Sequence, residues 1–112
     1  MQEPVQALLR TLPRKIRVGA YDWRIKVEAG VSEDYGETDY DNAVVAIWPE
    51  EHQSPDRLVG TLVHELIHVI DPDLGEETVV KLENGLISLF RDNPKLLTWI
   101  KRGLKSTQDG QP

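Results

Sequence analysis

Pro55 and Pro72 bracket a stretch whose apolar residues share one side only if the chain there is helical. At 100° per residue, Leu58, Val59, Leu62, Val63, Leu66, Ile67, Val69 and Ile70 fill one half of the wheel. Ser54 suits an N-cap, Pro55 the first helical position and Asp56 the positive end of the dipole. A proline pushes the residue before it out of helical geometry, so the helix is expected to stop near Asp71. A helix this apolar on one side must lie on a second layer of structure.

The material for that layer comes earlier in the chain. Residues 4–12 read as a short helix opened by Pro4 and closed before Pro13. Residues 15–19 precede a run in which Trp23, Ile25, Val27 and Ala29 alternate with Arg24, Lys26 and Glu28, which predicts a hairpin with one buried face. The acidic, turn-rich segment 32–42 predicts a loop or a ragged strand, and residues 43–49 a short apolar strand ended by Pro49. After Pro72 a second helix is expected from about Gly75 to Asp92. Asn93-Pro94 then opens a third helix, with Leu96, Leu97, Trp99, Ile100 and Leu104 on its inner side. The order of helix, strands and three helices is an α+β arrangement, read as one domain over residues 1–106 with a polar tail at 107–112 too small to pack.

Composition narrows the chemistry. The 112 residues include no cysteine, so a metal site here must use His, Asp or Glu. A formal net charge of -6 argues against a general nucleic-acid binder. The local basic groups, Arg14, Lys15 and Arg17 and then Lys101, Arg102 and Lys105, read as a strand flank and a helix end. No leader-like pattern opens the chain and no apolar run approaches bilayer length, so the expectation is a soluble, cytoplasmic protein without a membrane partner. The sequence leaves its oligomeric state open.

On the 55–71 helix, His64 and His68 fall together opposite the apolar half, with Thr61 and Asp71 beside them and Glu65 near one edge. Residues four apart on a helix have Cβ atoms roughly 5–6 Å apart, which lets two imidazoles converge on one Zn2+. Such a site acidifies water, and a carboxylate directly after the first ligand can accept the proton and later return it to a leaving amine; Glu65 holds that position. His52, in a polar stretch, reads as a surface residue. The second helix offers a third ligand. Val79, Val80, Leu82, Leu86, Ile87, Leu89 and Phe90 form its inward stripe, Glu76 projects from the edge of that stripe, and Glu77 points roughly 100° away. A carboxylate facing inward needs a partner, so Glu76 is preferred and Glu77 is the alternative. Glu83 also faces inward and is placed to pair with a base or bind nearby, but is not read as a ligand. Asp71, one turn past His68, is a candidate to orient an imidazole.

At "AVVAIWP", "TLVHELIHVID", "GEETVVKLENGL" and "RDNP", roughly residues 43–94, the chain resembles the zincin metallopeptidases, and more narrowly the minimal gluzincin-like ones encoded by bacteriophages. The related class with a third ligand ten residues after the first histidine does not fit, because Leu74 stands there. The resemblance implies His64 and His68 as zinc ligands, Glu65 as the catalytic carboxylate, and a glutamate at 76 or 77 as third ligand. It implies a small twisted, mainly antiparallel sheet packed on the motif helix and followed by two further helices. Residues 43–48 would be the sheet edge that receives a substrate peptide by strand addition. The chain departs from the family in having no His or Tyr downstream of the zinc helices to stabilise an oxyanion; Tyr35 and Tyr40 are the upstream candidates. The function expected is thus a zinc-dependent metallopeptidase acting on a peptide or protein, in the host cytoplasm if phage-encoded. The alternative is a non-catalytic, zinc-stabilised zincin-like binding or regulatory module.

Overall fold

A computed structural model of the chain describes residues 3–49 and 54–108, with side chains to Ser106. The order is α1 (Glu3–Thr11), β1 (Lys15–Val18), β2 (Tyr21–Val27), β3 (Gly36–Asp39), β4 (Val44–Ile47), α2 (Pro55–Ile70), α3 (Glu76–Asp92) and α4 (Pro94–Gln108). The expected α+β architecture is present. His52 and residues 109–112 lie outside the described residues, and helix α4 includes Thr107 and Gln108.

The four strands form one mixed sheet in the order β1-β2-β4-β3. The pairing is antiparallel at both ends and parallel between β2 and β4, with Ile25 opposite Val45 and Val27 opposite Ile47. Side chains alternate across a strand, so Trp23 and Ile25 on β2 and Val45 and Ile47 on β4 share the face turned to the helices. There they join Val5 of α1 and Leu58 and Val69 of α2 in the main core. Antiparallel register places Thr38 opposite Val45 and Gly36 opposite Ile47, which puts both β3 residues on that same face.

Two expectations are corrected. The apolar strand at 43–48 is not the edge: β4 lies between β2 and β3, and the edge beside the motif helix is β3. The physical reason is local. Asp39 folds the 40–43 connection back through its carboxylate, which accepts bonds from the backbone N–H and side-chain amide of Asn42 at 3.2 and 2.9 Å. This closes a β3–β4 hairpin and settles the segment, read as a loop or a ragged strand, in favour of the strand.

The apolar stripes of α3 and α4 are also less covered than their periodicity predicts. On α3 only Val79 is fully buried, while Val80, Leu82 and Leu89 are exposed. On α4 only Leu96 and Ile100 are half-buried, and Leu97, Trp99 and Leu104 are exposed. Among the described residues helix α4 packs chiefly on α3, which covers one side of it.

These burials predict a sharp contrast on truncation. Ile47→Ala, at a fully buried position, should destabilise the fold by about 2–5 kcal/mol in urea unfolding. Leu104→Ala, at an exposed one, should change stability by no more than about 0.5 kcal/mol.

Candidate metal centre

Helix α2 carries its polar side into the angle between β3 and α3. His64 and His68 are each half-buried there, with ring centroids 5.0 Å apart. Helix α3 starts at Glu76, after a turn in which Asp71 caps α2 by donating its backbone N–H to the Ile67 carbonyl. That reversal sets Glu76 across from both rings. Its Oε1 lies 2.5 Å from His64 Nε2 and its Oε2 lies 2.9 Å from His68 Nε2. One ligand atom from each of His64, His68 and Glu76 falls within 4.8 Å of the others, a group that can hold a metal ion.

The donor set, two imidazoles and one carboxylate with no thiolate, fits a divalent transition metal. Bonds of about 2.0–2.1 Å in a tetrahedral arrangement would separate ligand atoms by roughly 3.3 Å. The Glu76 contacts are shorter than this, at hydrogen-bond length, so Glu76 need only draw back by less than about 1 Å to admit an ion. Glu76 is 65% exposed at the mouth of the site and stands at a helix terminus, where such a movement meets little resistance.

A further carboxylate fixes the first imidazole. His64 Nδ1 lies 2.9 Å from Glu83 Oε1, so Nδ1 donates its proton to Glu83, and in the neutral ring that a metal requires Nε2 would present its lone pair to the cluster; without metal, Nε2 donates to Glu76. Gly60 leaves room for this contact, since a Cβ there would stand 2.9 Å from Glu83 Oε2. The reading of Glu83 as a partner to a base therefore matches the geometry, while Asp71 turns away, its side chain accepting from the Asp73 backbone N–H at 3.2 Å. Burial alone would lower the His64 pKa. The bond to Glu83 and the charges of Glu76, Glu65 and Glu83 outweigh it and hold the ring above its ordinary value. Glu77 is exposed and lies 3.7 Å from Lys81, one turn along the same helix, away from the cluster.

Glu65, near one edge of the polar side on the wheel, is 8% exposed beneath β3. Its Oε1 accepts a 2.8 Å bond from Thr38 Oγ1, a residue in the segment read as a loop or ragged strand and not singled out from the sequence. Gly36 lets β3 come this close, because a Cβ there would lie 2.8 Å from Thr61 Cγ2 and 3.0 Å from Glu65 Cγ. Burial raises the Glu65 pKa; the Thr38 bond and the two histidines oppose the rise without cancelling it. Of the two tyrosines, Tyr40 lines the hollow that holds the triad and donates its hydroxyl to the His68 carbonyl at 3.3 Å. Its pKa is raised by burial and by the charges of Glu65 and Glu76, so it remains a donor. Tyr35 lines the adjoining cleft.

No family model, curated protein or solved structure matches the chain. The site's chemistry is therefore read from its own geometry.

Metal analysis gives the direct check on this arrangement. The wild-type chain should hold close to one equivalent of divalent metal, and His64→Ala, His68→Ala and Glu76→Ala should lose it, while Glu77→Ala keeps it. Glu83→Gln should retain a site with affinity weakened about 10–100-fold, as removal of an orienting partner does elsewhere.

Proposed function

We propose that the chain is a zinc-dependent metallopeptidase in which His64, His68 and Glu76 hold the metal and Glu65 is the general base. The single observation that carries this reading is a buried carboxylate of raised pKa placed directly after the first histidine of a His/His/Glu cluster. Zn2+, when bound by such a set, supplies Lewis-acid chemistry, polarising a carbonyl and lowering the pKa of water.

The chain's own residues supply the remaining functions. Thr38 occupies Oε1 of Glu65, which leaves Oε2 to take a proton from water and hand it to the departing amine. A raised pKa suits both halves of that exchange, since the carboxylate is a stronger base when ionised and a ready donor once protonated. Glu83 fixes the His64 tautomer so that Nε2 presents its lone pair. Tyr40, whose hydroxyl reaches the His68 carbonyl beside the triad, is the protonated donor that would turn to a developing negative oxygen. The open cleft beside the triad suits an extended peptide, and the free edge available to it is that of β3.

The second reading, a non-catalytic zinc-stabilised module, draws on the engagement of Tyr40 with a backbone carbonyl and of Glu65 with Thr38. Glu65→Gln separates the two. A peptidase loses turnover by about 10²–10⁴-fold with its metal content intact; the module's binding activity is unchanged.

The pH profile follows from the same groups. Glu65 must be ionised to act, and His64 must be neutral to bind metal. In the metal-free chain both have pKa values above their ordinary ones. Protons compete with metal for the His64 ring, so zinc uptake followed against pH should fall away as pH drops through the raised His64 value. Uptake lost only below the ordinary imidazole range would contradict this.

A further inference from the structure

The cleft beside the triad, about 410 Å3 in volume, has an uneven charge. Five carboxylates line it, those of Glu33, Asp34, Glu65, Glu76 and Glu83, and no lysine or arginine does. Three of the five have partners within the site: Glu65 accepts from Thr38, while Glu76 and Glu83 face the histidines. Glu33 and Asp34 have none of this kind. They are exposed on the connection leading into β3, and the ion pairs among the described residues all lie elsewhere. The backbone N–H of Asp34 bonds to Ser32 Oγ at 3.2 Å, a turn that holds the pair at the rim.

A divalent ion balances the charges of Glu76 and Glu83, so the two rim carboxylates stay uncompensated when the metal is bound. A neighbouring hollow shares Tyr35, Thr61 and Glu83 with the cleft, and Arg57 and Arg91 stand there together with Asp56 rather than in the cleft. A ligand lying in the cleft itself therefore meets five carboxylates and no lysine or arginine among its lining residues. Walls of one charge sign concentrate ligands of the opposite sign and reject those of the same sign.

We propose that the site recognises cationic peptides, with a Lys or Arg side chain of the ligand lying against Glu33 and Asp34. This rests on the reading of the cleft as a peptide-cleaving site and names its substrate class. A neutral peptide gains nothing at that rim, and an acidic one is repelled by it.

The test uses the zinc-loaded full chain carrying Glu65→Gln, which binds without turnover. Three fluorescent peptides of matched length, with lysine, neutral or aspartate residues flanking a common centre, are titrated by anisotropy. The lysine peptide should bind about tenfold tighter than the neutral one, and the advantage should shrink as salt is raised. Adding Glu33→Gln and Asp34→Asn should cut the advantage below about threefold while zinc content stays the same. Equal affinities, an advantage that survives the double substitution, or no binding of any peptide would overturn the proposal. Turnover of the same peptides by wild type separates the two layers. Selective binding with no cleavage sinks the peptidase reading and leaves cation recognition standing, whereas cleavage of all three at equal rates sinks cation recognition alone.

Discussion

The structure depends on one helix meeting two opposite demands. The apolar half of α2 is anchored by Leu58 and Val69 to a sheet face built from Trp23, Ile25, Val45 and Ile47. Its other half holds polar side chains that are half-buried or buried, and each needs a partner. Thr38 from β3 serves Glu65, Glu83 from α3 serves His64, and Glu76 from the start of α3 serves both imidazoles. Firm anchoring on the core side gives the polar side its precision, because the histidines cannot rotate off their common face without pulling Leu58 and Val69 out of the sheet.

Two close approaches make those partnerships possible, and both use glycine. At Gly36 the strand nearly touches Thr61 and Glu65; at Gly60 the helix leaves space for the Glu83 carboxylate. Both are places where a side chain would sit between the groups that must meet. Gly36→Ala would press a methyl into side-chain atoms 2.8 and 3.0 Å away, so β3 or the Glu65 side chain would have to give. The electrostatic consequence is a basin of carboxylates packed around two imidazoles, which favours the protonated form of His64 in the absence of metal and is suited to a divalent cation.

How much of this the sequence displayed differs by element. Helix α2 was legible nearly to the residue because period, cap and terminating proline agree, and with it the shared face of His64 and His68. Glu76 was legible as a preference, since its place at the edge of the α3 stripe is a property of one helix. What lay across elements was not. Strand β3 is four residues of Gly, Glu, Thr and Asp, with no apolar alternation, so the sequence left it open between a loop and a ragged strand; its pairing with β4 and the Asp39–Asn42 turn decide for the strand. Not seeing β3 as the edge meant assigning that place to β4 and missing Thr38 as the partner of Glu65. The stripes of α3 and α4 erred the other way: periodicity shows which side of a helix is apolar, but not whether a neighbour exists to cover it, and Trp99 is left 73% exposed.

The role of the His64, His68 and Glu76 cluster turns on the ion it holds. X-ray absorption at the metal edge, on protein purified without chelator, reads its immediate neighbours directly. The predicted result is a zinc centre with two imidazole nitrogens at about 2.0–2.1 Å and carboxylate oxygen completing the protein ligands. A protein that takes up no metal, or a bound metal whose spectrum lacks the imidazole pair, would contradict it.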